Sequence, residues 1–122
     1  MIDVRRRERL GALLRHEIAS VIEIRMSDPR VGFVSVTSVQ VAADLGTAKV
    51  FVSVYGDDDA TTAALTTLQG AASFIRSEVA KRVRLRQMPA LRFVQDDSLR
   101  RGAVVDRLLH EWHEEAPPGP SE

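Results

Sequence analysis

The chain has 122 residues, no cysteine, and 17 lysine and arginine residues against 17 aspartate and glutamate residues. That length suits one domain with a real core, while the missing cysteines exclude a disulfide framework and thiolate or zinc-thiolate chemistry. No apolar run approaches the ~20 residues that span a bilayer, and MIDVRRRERL lacks a secretory apolar segment, so no membrane partner and a cytoplasmic location are expected.

Between Asp3 and Met26 the residues Leu10, Leu13, Leu14, Ile18, Val21 and Ile22 recur in steps of three and four, which predicts an amphipathic helix. Arg5, Arg9 and His16 fall on its opposite side. Asp3 is placed to cap it, and Ser27-Asp28-Pro29 to end it, because proline pushes the residue before it out of helical geometry. Arg30 follows at the turn. Phe33 to Val41 reads as a strand whose valines change phase, Val34 and Val36 against Val39 and Val41, so a bulge is expected near Thr37 and Ser38. After a connection at Ala43-Asp44-Leu45-Gly46, Thr47 to Tyr55 alternates Ala48, Val50, Val52 and Val54 with Lys49, Phe51, Ser53 and Tyr55, predicting a hairpin.

Gly56 and Asp57-Asp58-Asp59 read as a loop whose last aspartate caps a second helix. Leu65, Leu68, Ala72, Ile75 and Val79 keep helical spacing as far as Val83. Within that run Gly70 costs about 1 kcal/mol relative to alanine, and Ala71, Ala72 and Ser73 leave the backbone uncovered, which predicts two helical pieces meeting at a kink. Arg86-Gln87-Met88-Pro89 is expected to end the helix, and Ala90 to Gln95 to form a third strand with Leu91 and Phe93 on one face. Asp96-Asp97-Ser98 then caps a short C-terminal helix bearing Leu99, Val105, Leu108, Leu109 and Trp112. EEAPPGPSE has no apolar anchor, which gives a domain over 1–113 and a disordered tail over 114–122. The order helix-strand-strand-kinked helix pair-strand predicts an α+β domain, a three-stranded sheet with helices on one face and Phe51 and Tyr55 on the open one.

With zero net charge, nucleic-acid binding must rest on how charge is distributed. From Gln69 to Phe93, Arg76, Lys81, Arg82, Arg84, Arg86 and Arg92 face a single acid, Glu78. Several motifs also occur together in order: a basic amphipathic first helix, Asp28-Pro29-Arg30, Asp44-Leu45 with Ala48-Lys49-Val50, Phe74-Ile75-Arg76, and Arg84-Leu85-Arg86 with Pro89, Leu91, Phe93 and Asp96. From about Arg5 to Leu109 the chain resembles the bacterial ribosome-binding factor A family. The resemblance implies a type II KH-like fold and a monomeric, non-enzymatic factor without cofactors. Such a factor binds the free small ribosomal subunit, assists late maturation and 5′-end processing of small-subunit (16S) rRNA, and matters most in the cold; because no nucleotide hydrolysis is built in, a separate release GTPase is a further expected partner. Family members replace the GxxG backbone clamp of ordinary KH domains by an Ala-Xaa-Gly kink. Here Ala71-Ala72-Ser73 occupies that place, so the glycine is missing, with Gly70 just before it.

Arginine's planar fork matches phosphate, and charge neutralisation dominates RNA affinity, so Arg76, Lys81, Arg82, Arg84 and Arg86 are the leading RNA-binding candidates, with Arg5, Arg6, Arg7 and Arg9 as a second patch. On a helical wheel Lys81 and Arg84 face away from the Ile75/Val79 stripe, and Arg82 is in part structural. A solvated helix face is the competing reading of such a charge run. Arg30 either contacts RNA or pairs with Asp28 and braces the turn. The small residues Gly70, Ala71, Ala72 and Ser73 either receive an RNA backbone or let a neighbouring helix pack closely.

Enzyme-like constellations carry little. Asp57-Asp58-Asp59 lacks the spaced ligands of a calcium loop, and His110, His113 and Glu114 form only a weak metal set near a chain end. Asp96 and Asp97 are adjacent and point apart, and no phosphate loop or nucleophile-base pair is present. Two rival readings are a generic KH-like RNA binder and a protein interaction module that uses Phe51 and Tyr55 on the open sheet face.

Overall fold

The computed structural model describes residues 4–26 and 33–97. The expected Asp3 cap, the Ser27-Asp28-Pro29 stop, Arg30, the helix from Leu99 to Trp112, the His110/His113/Glu114 set and the tail over 114–122 lie outside the described residues. The element order is α1 (Val4–Arg25), β1 (Val34–Val41), β2 (Thr47–Val54), α2 (Asp58–Gly70), α3 (Ala72–Arg82) and β3 (Ala90–Gln95). The strands lie in the order β1-β2-β3, with β1 antiparallel and β3 parallel to β2. This is the expected α+β domain, three helices on a mixed three-stranded sheet.

Helix α1 buries Gly11, Leu14, Ile18, Val21 and Ile22, one stripe at three- and four-residue spacing. Its partner surface is made by the bulge. Val36 pairs with Val52 but Ser38 pairs with Phe51, leaving Thr37 as the extra residue. The strand therefore changes phase there, and Val36 and Val41 on either side of the bulge are both buried among the core residues. Helix and strand approach so closely that a Cβ on Gly11 would lie 2.5 Å from the Val39 carbonyl oxygen. The core joins Leu14, Ile18 and Val21 of α1 to Val50 and Val52 of β2, Leu68 of α2, and Ile75 and Val79 of α3. Each such side chain contributes roughly 1.5–3 kcal/mol by leaving water.

Two local expectations are corrected. Asp57 caps α2, its carboxylate accepting the Ala60 N–H at 2.8 Å, where Asp59 had been expected. The cap follows Gly56, whose φ of 136° lets the chain turn sharply out of β2. Helix α3 ends at Arg82, four residues before Arg86, because the next residue, Val83, is extended (φ −121°, ψ 145°) and buried. Arg84 therefore sits in the loop over 83–89, and no helical wheel describes it. The kink is as expected: Ala71, at φ −96° and ψ 5°, separates α2 from α3, and its N–H still bonds the Thr67 and Leu68 carbonyls at 3.0 and 3.1 Å.

Candidate nucleic-acid interface

Helix α2 and strand β3, the sheet edge on that side, enclose an open groove of about 660 Å³, lined by Leu65, Thr66 and Gln69 of α2 and by Leu91, Arg92 and Phe93 of β3. A free strand edge presents unpaired backbone groups, and Gln69 occupies two of them. Its Nε2 donates to the Leu91 carbonyl at 3.3 Å and its Oε1 accepts the Phe93 N–H at 2.9 Å, so the side chain stands in for a short piece of neighbouring strand. The helix break lies directly after Gln69. Gly70 and Ser73 are exposed there, while Ala71 and Ala72 are half-buried against the core. Close packing thus explains the two alanines but not Gly70, whose Cβ position has nothing within 4 Å. Helix α3 begins without a side-chain cap.

The cations between Gln69 and Phe93 divide by what they touch. Arg76 donates from Nε to the Met88 and Pro89 carbonyls at 3.2 Å each and from Nη2 to Met88 again, which ties the loop over 83–89 back to α3. Lys81 Nζ donates to Glu78 at 2.7 Å, and Arg25 of α1 stands 3.3 Å from the other oxygen of the same carboxylate. Arg82 lies 3.9 Å from Glu17 of α1, so α1 and α3 are laced together antiparallel, and neither Lys81 nor Arg82 lines the groove. The Lys81 hydrogen bond, aided by the charges of Lys81, Arg25 and Arg82, lowers the Glu78 pKa even though burial pushes it up. Glu78 is itself only 8% exposed, and a carboxylate there requires these partners.

Arg84 and Arg86 differ from the others. Both are exposed in the loop over 83–89, and neither makes an ion pair or hydrogen bond among the described residues. The cation that rims the groove is Arg92, which periodicity had placed only on a strand; its role depends on the α2–β3 packing, for which the sequence carries no local signal.

The topology also sorts the charges. Val41, Thr47 and Ala90 share one end of the sheet. The loop with Arg84 and Arg86 enters β3 there, and the start of α1, near Arg5, Arg6 and Arg9, lies over Val39 to Val41. At the opposite end β2 runs into Asp57, Asp58 and Asp59, and β3 into Asp96 and Asp97. Among the described residues the topology thus sets a basic end against an acidic one, with Glu8 and Asp44 as acidic exceptions at the basic end.

Fold and groove together define the class: a small α+β domain with an exposed strand edge, a helix break and a basic end. The chain belongs to the ribosome-binding factor A family, whose sequence model matches residues 6–109. It is 50% identical over 104 residues to ribosome-binding factor A of Desulfitobacterium hafniense, covering 85% of this chain and 83% of that one. The counterpart in Thermomicrobium roseum is 48% identical over 110 residues, covering 90% and 85%. Among solved structures, the crystal structure of ribosome-binding factor A from Thermus thermophilus is similar at a TM-score of 0.66 and 28% identity, covering 73% of this chain and 94% of that one. A Thermus thermophilus homology model fitted into the cryo-EM map of a 30S–RbfA complex is similar at a TM-score of 0.64 and 27% identity, covering 75% and 96%.

Proposed function

We propose that the protein is a non-enzymatic assembly factor that binds the free small ribosomal subunit through small-subunit rRNA and assists its late maturation, including 5′-end processing. The observation that carries this reading is that Arg84 and Arg86, unpaired among the described residues, stand at the basic end beside an open strand-edge groove and an exposed helix break. Family membership and the relative fitted into a small-subunit complex support the same partner. The αββααβ element order supports a type II KH-like reading, in which helix break and strand edge form the RNA-facing side.

The mechanism is occupancy. The protein binds one conformation of immature rRNA better than the others and shifts the population toward it by that difference in affinity. Wrong RNA pairings persist longest at low temperature, which makes the cold the condition of greatest need. The factor acts as a cytoplasmic monomer, and a separate GTPase releases it.

The test is cosedimentation with free small subunits in the presence of excess unrelated RNA. The double variant Arg84→Glu, Arg86→Glu should fold normally, since neither side chain has a partner among the described residues, and should lose association by at least about tenfold. Contact with each phosphate gives a salt slope of about −0.7. Undiminished cosedimentation of the double variant, or binding indifferent to salt, would overturn the reading.

A further inference from the structure

The sheet face turned away from the helices carries a row that the fold does not explain. Lys49 of β2 is in register with Gln40 of β1 on one side and Arg92 of β3 on the other. All three are exposed, and neither cation has an ion pair or hydrogen bond among the described residues. Like charges directly opposite each other on adjacent strands are destabilising. The carboxylates nearest in sequence are engaged elsewhere: Asp44 accepts the Gly46 N–H in the preceding turn, and Asp96 accepts the Thr37 hydroxyl at 2.6 Å. Two residues further along, Phe51 and Val94 are in register and partly exposed, which sets a ring beside the cation pair.

We propose that Lys49, Arg92 and Phe51 form a second RNA surface, in which the cation pair holds a backbone phosphate and the Phe51 ring receives an unpaired base. Strand spacing is about 4.8 Å and two residues span about 6.6 Å along a strand, so a phosphate between the two cations leaves an adjacent base within reach of the ring. Aromatic side chains stack on any unpaired base, whereas the centre of a protein–protein interface is depleted of charge. The site is continuous with the basic end: Arg92 also rims the α2–β3 groove, and Ala90, where the basic loop enters β3, is two residues away. A single strand leaving the groove crosses the β3 edge onto this face. The inference rests on the RNA-binding reading and extends the footprint to the side of the sheet opposite the helices.

The test measures binding of a fluorescent single-stranded RNA of about ten nucleotides and of free small subunits to Lys49→Gln, Phe51→Leu and the Arg84→Glu, Arg86→Glu variant. Lys49→Gln should melt at an equal or higher temperature, bind the oligonucleotide roughly fourfold more weakly at about 0.15 M salt, and show a salt slope shallower by about 0.7. Phe51→Leu should lose about fivefold with its slope unchanged. The same affinity and slope for Lys49→Gln, while the arginine double variant loses binding, overturns the second surface and leaves the first reading standing; loss from none of them overturns both. Lower melting of Lys49→Gln, which would make the row structural, overturns the inference. So does weaker subunit binding of Lys49→Gln and Phe51→Leu with unchanged oligonucleotide binding, which would assign the face to a protein partner.

Discussion

Gly70→Ala should stabilise this protein, although the glycine closes a helix at a kink. A Cβ at Gly70 would meet nothing within 4 Å, and the residue does not adopt positive φ. Alanine therefore costs no strain and removes glycine's excess freedom in the unfolded chain. The full interior difference is about 1 kcal/mol, and substitutions of this kind at compatible sites yield about 0.4–1 kcal/mol. Because Gly70 is the last residue of α2, the lower part of that range applies, about 0.5 kcal/mol, or roughly 2 °C in melting temperature for a chain of this size. Urea titration followed by circular dichroism measures it, with the midpoint rising at an unchanged slope. RNA affinity read on the same variant separates two roles, since a methyl group that raises stability and weakens binding marks Gly70 as a point of backbone approach. A loss of stability would refute the reasoning, because the break between α2 and α3 would then need glycine itself.

The same substitution at Gly11 should act in the opposite direction. Its Cβ would lie 2.5 Å from the Val39 carbonyl oxygen, which cannot rotate away, so Gly11→Ala should cost about 1–3 kcal/mol in urea unfolding, and a change below about 0.5 kcal/mol would contradict the close approach of α1 to β1. Gln69→Leu leaves the β3 edge to water and should cost about 1 kcal/mol, with faster hydrogen exchange at the Phe93 amide as the local readout; unchanged exchange there would refute the clamp. For Glu78 the pKa is lower folded than unfolded, so its contribution is complete above the ordinary carboxylate value and is lost as pH falls through the lowered one. Urea midpoints across pH should show Glu78→Gln less stable than the parent at neutral pH and converging with it in acid, and a gap that widens in acid would refute the pairing.

The features readable from the sequence are those written locally. The phase slip between Val36 and Val39 located the bulge, and Gly70 with three small residues located the kink. The end of α3 was misread because Arg84, Leu85 and Arg86 are good helix formers, and the first local stop is Pro89; what ends the helix is burial of Val83, a tertiary event. Asp57 and Asp59 are equally good caps by composition, and the positive φ at Gly56 fixes where the helix begins. Among the cations, sequence showed the cluster but not the sorting. Glu78 collects Lys81 and Arg25 across two helices, Arg76 holds the loop carbonyls, and Arg92 meets Lys49 only because β3 runs parallel to β2 in one register. These are pairings between residues far apart in the chain, and no local period encodes them.

The separation of charge along the sheet has a kinetic consequence. A molecule of zero net charge gains no long-range attraction as a point, but one with a basic and an acidic end has a dipole, and the field of a polyanion exerts a torque on it. On the proposed reading it would arrive with Arg84 and Arg86 leading and the Asp57-Asp58-Asp59 loop trailing, so that a larger share of encounters begins in the productive orientation. Reversing charge at the acidic end would increase the overall pull toward RNA while weakening that alignment. With RNA as the proposed partner, the balance of 17 against 17 would trade non-specific attraction for direction of approach.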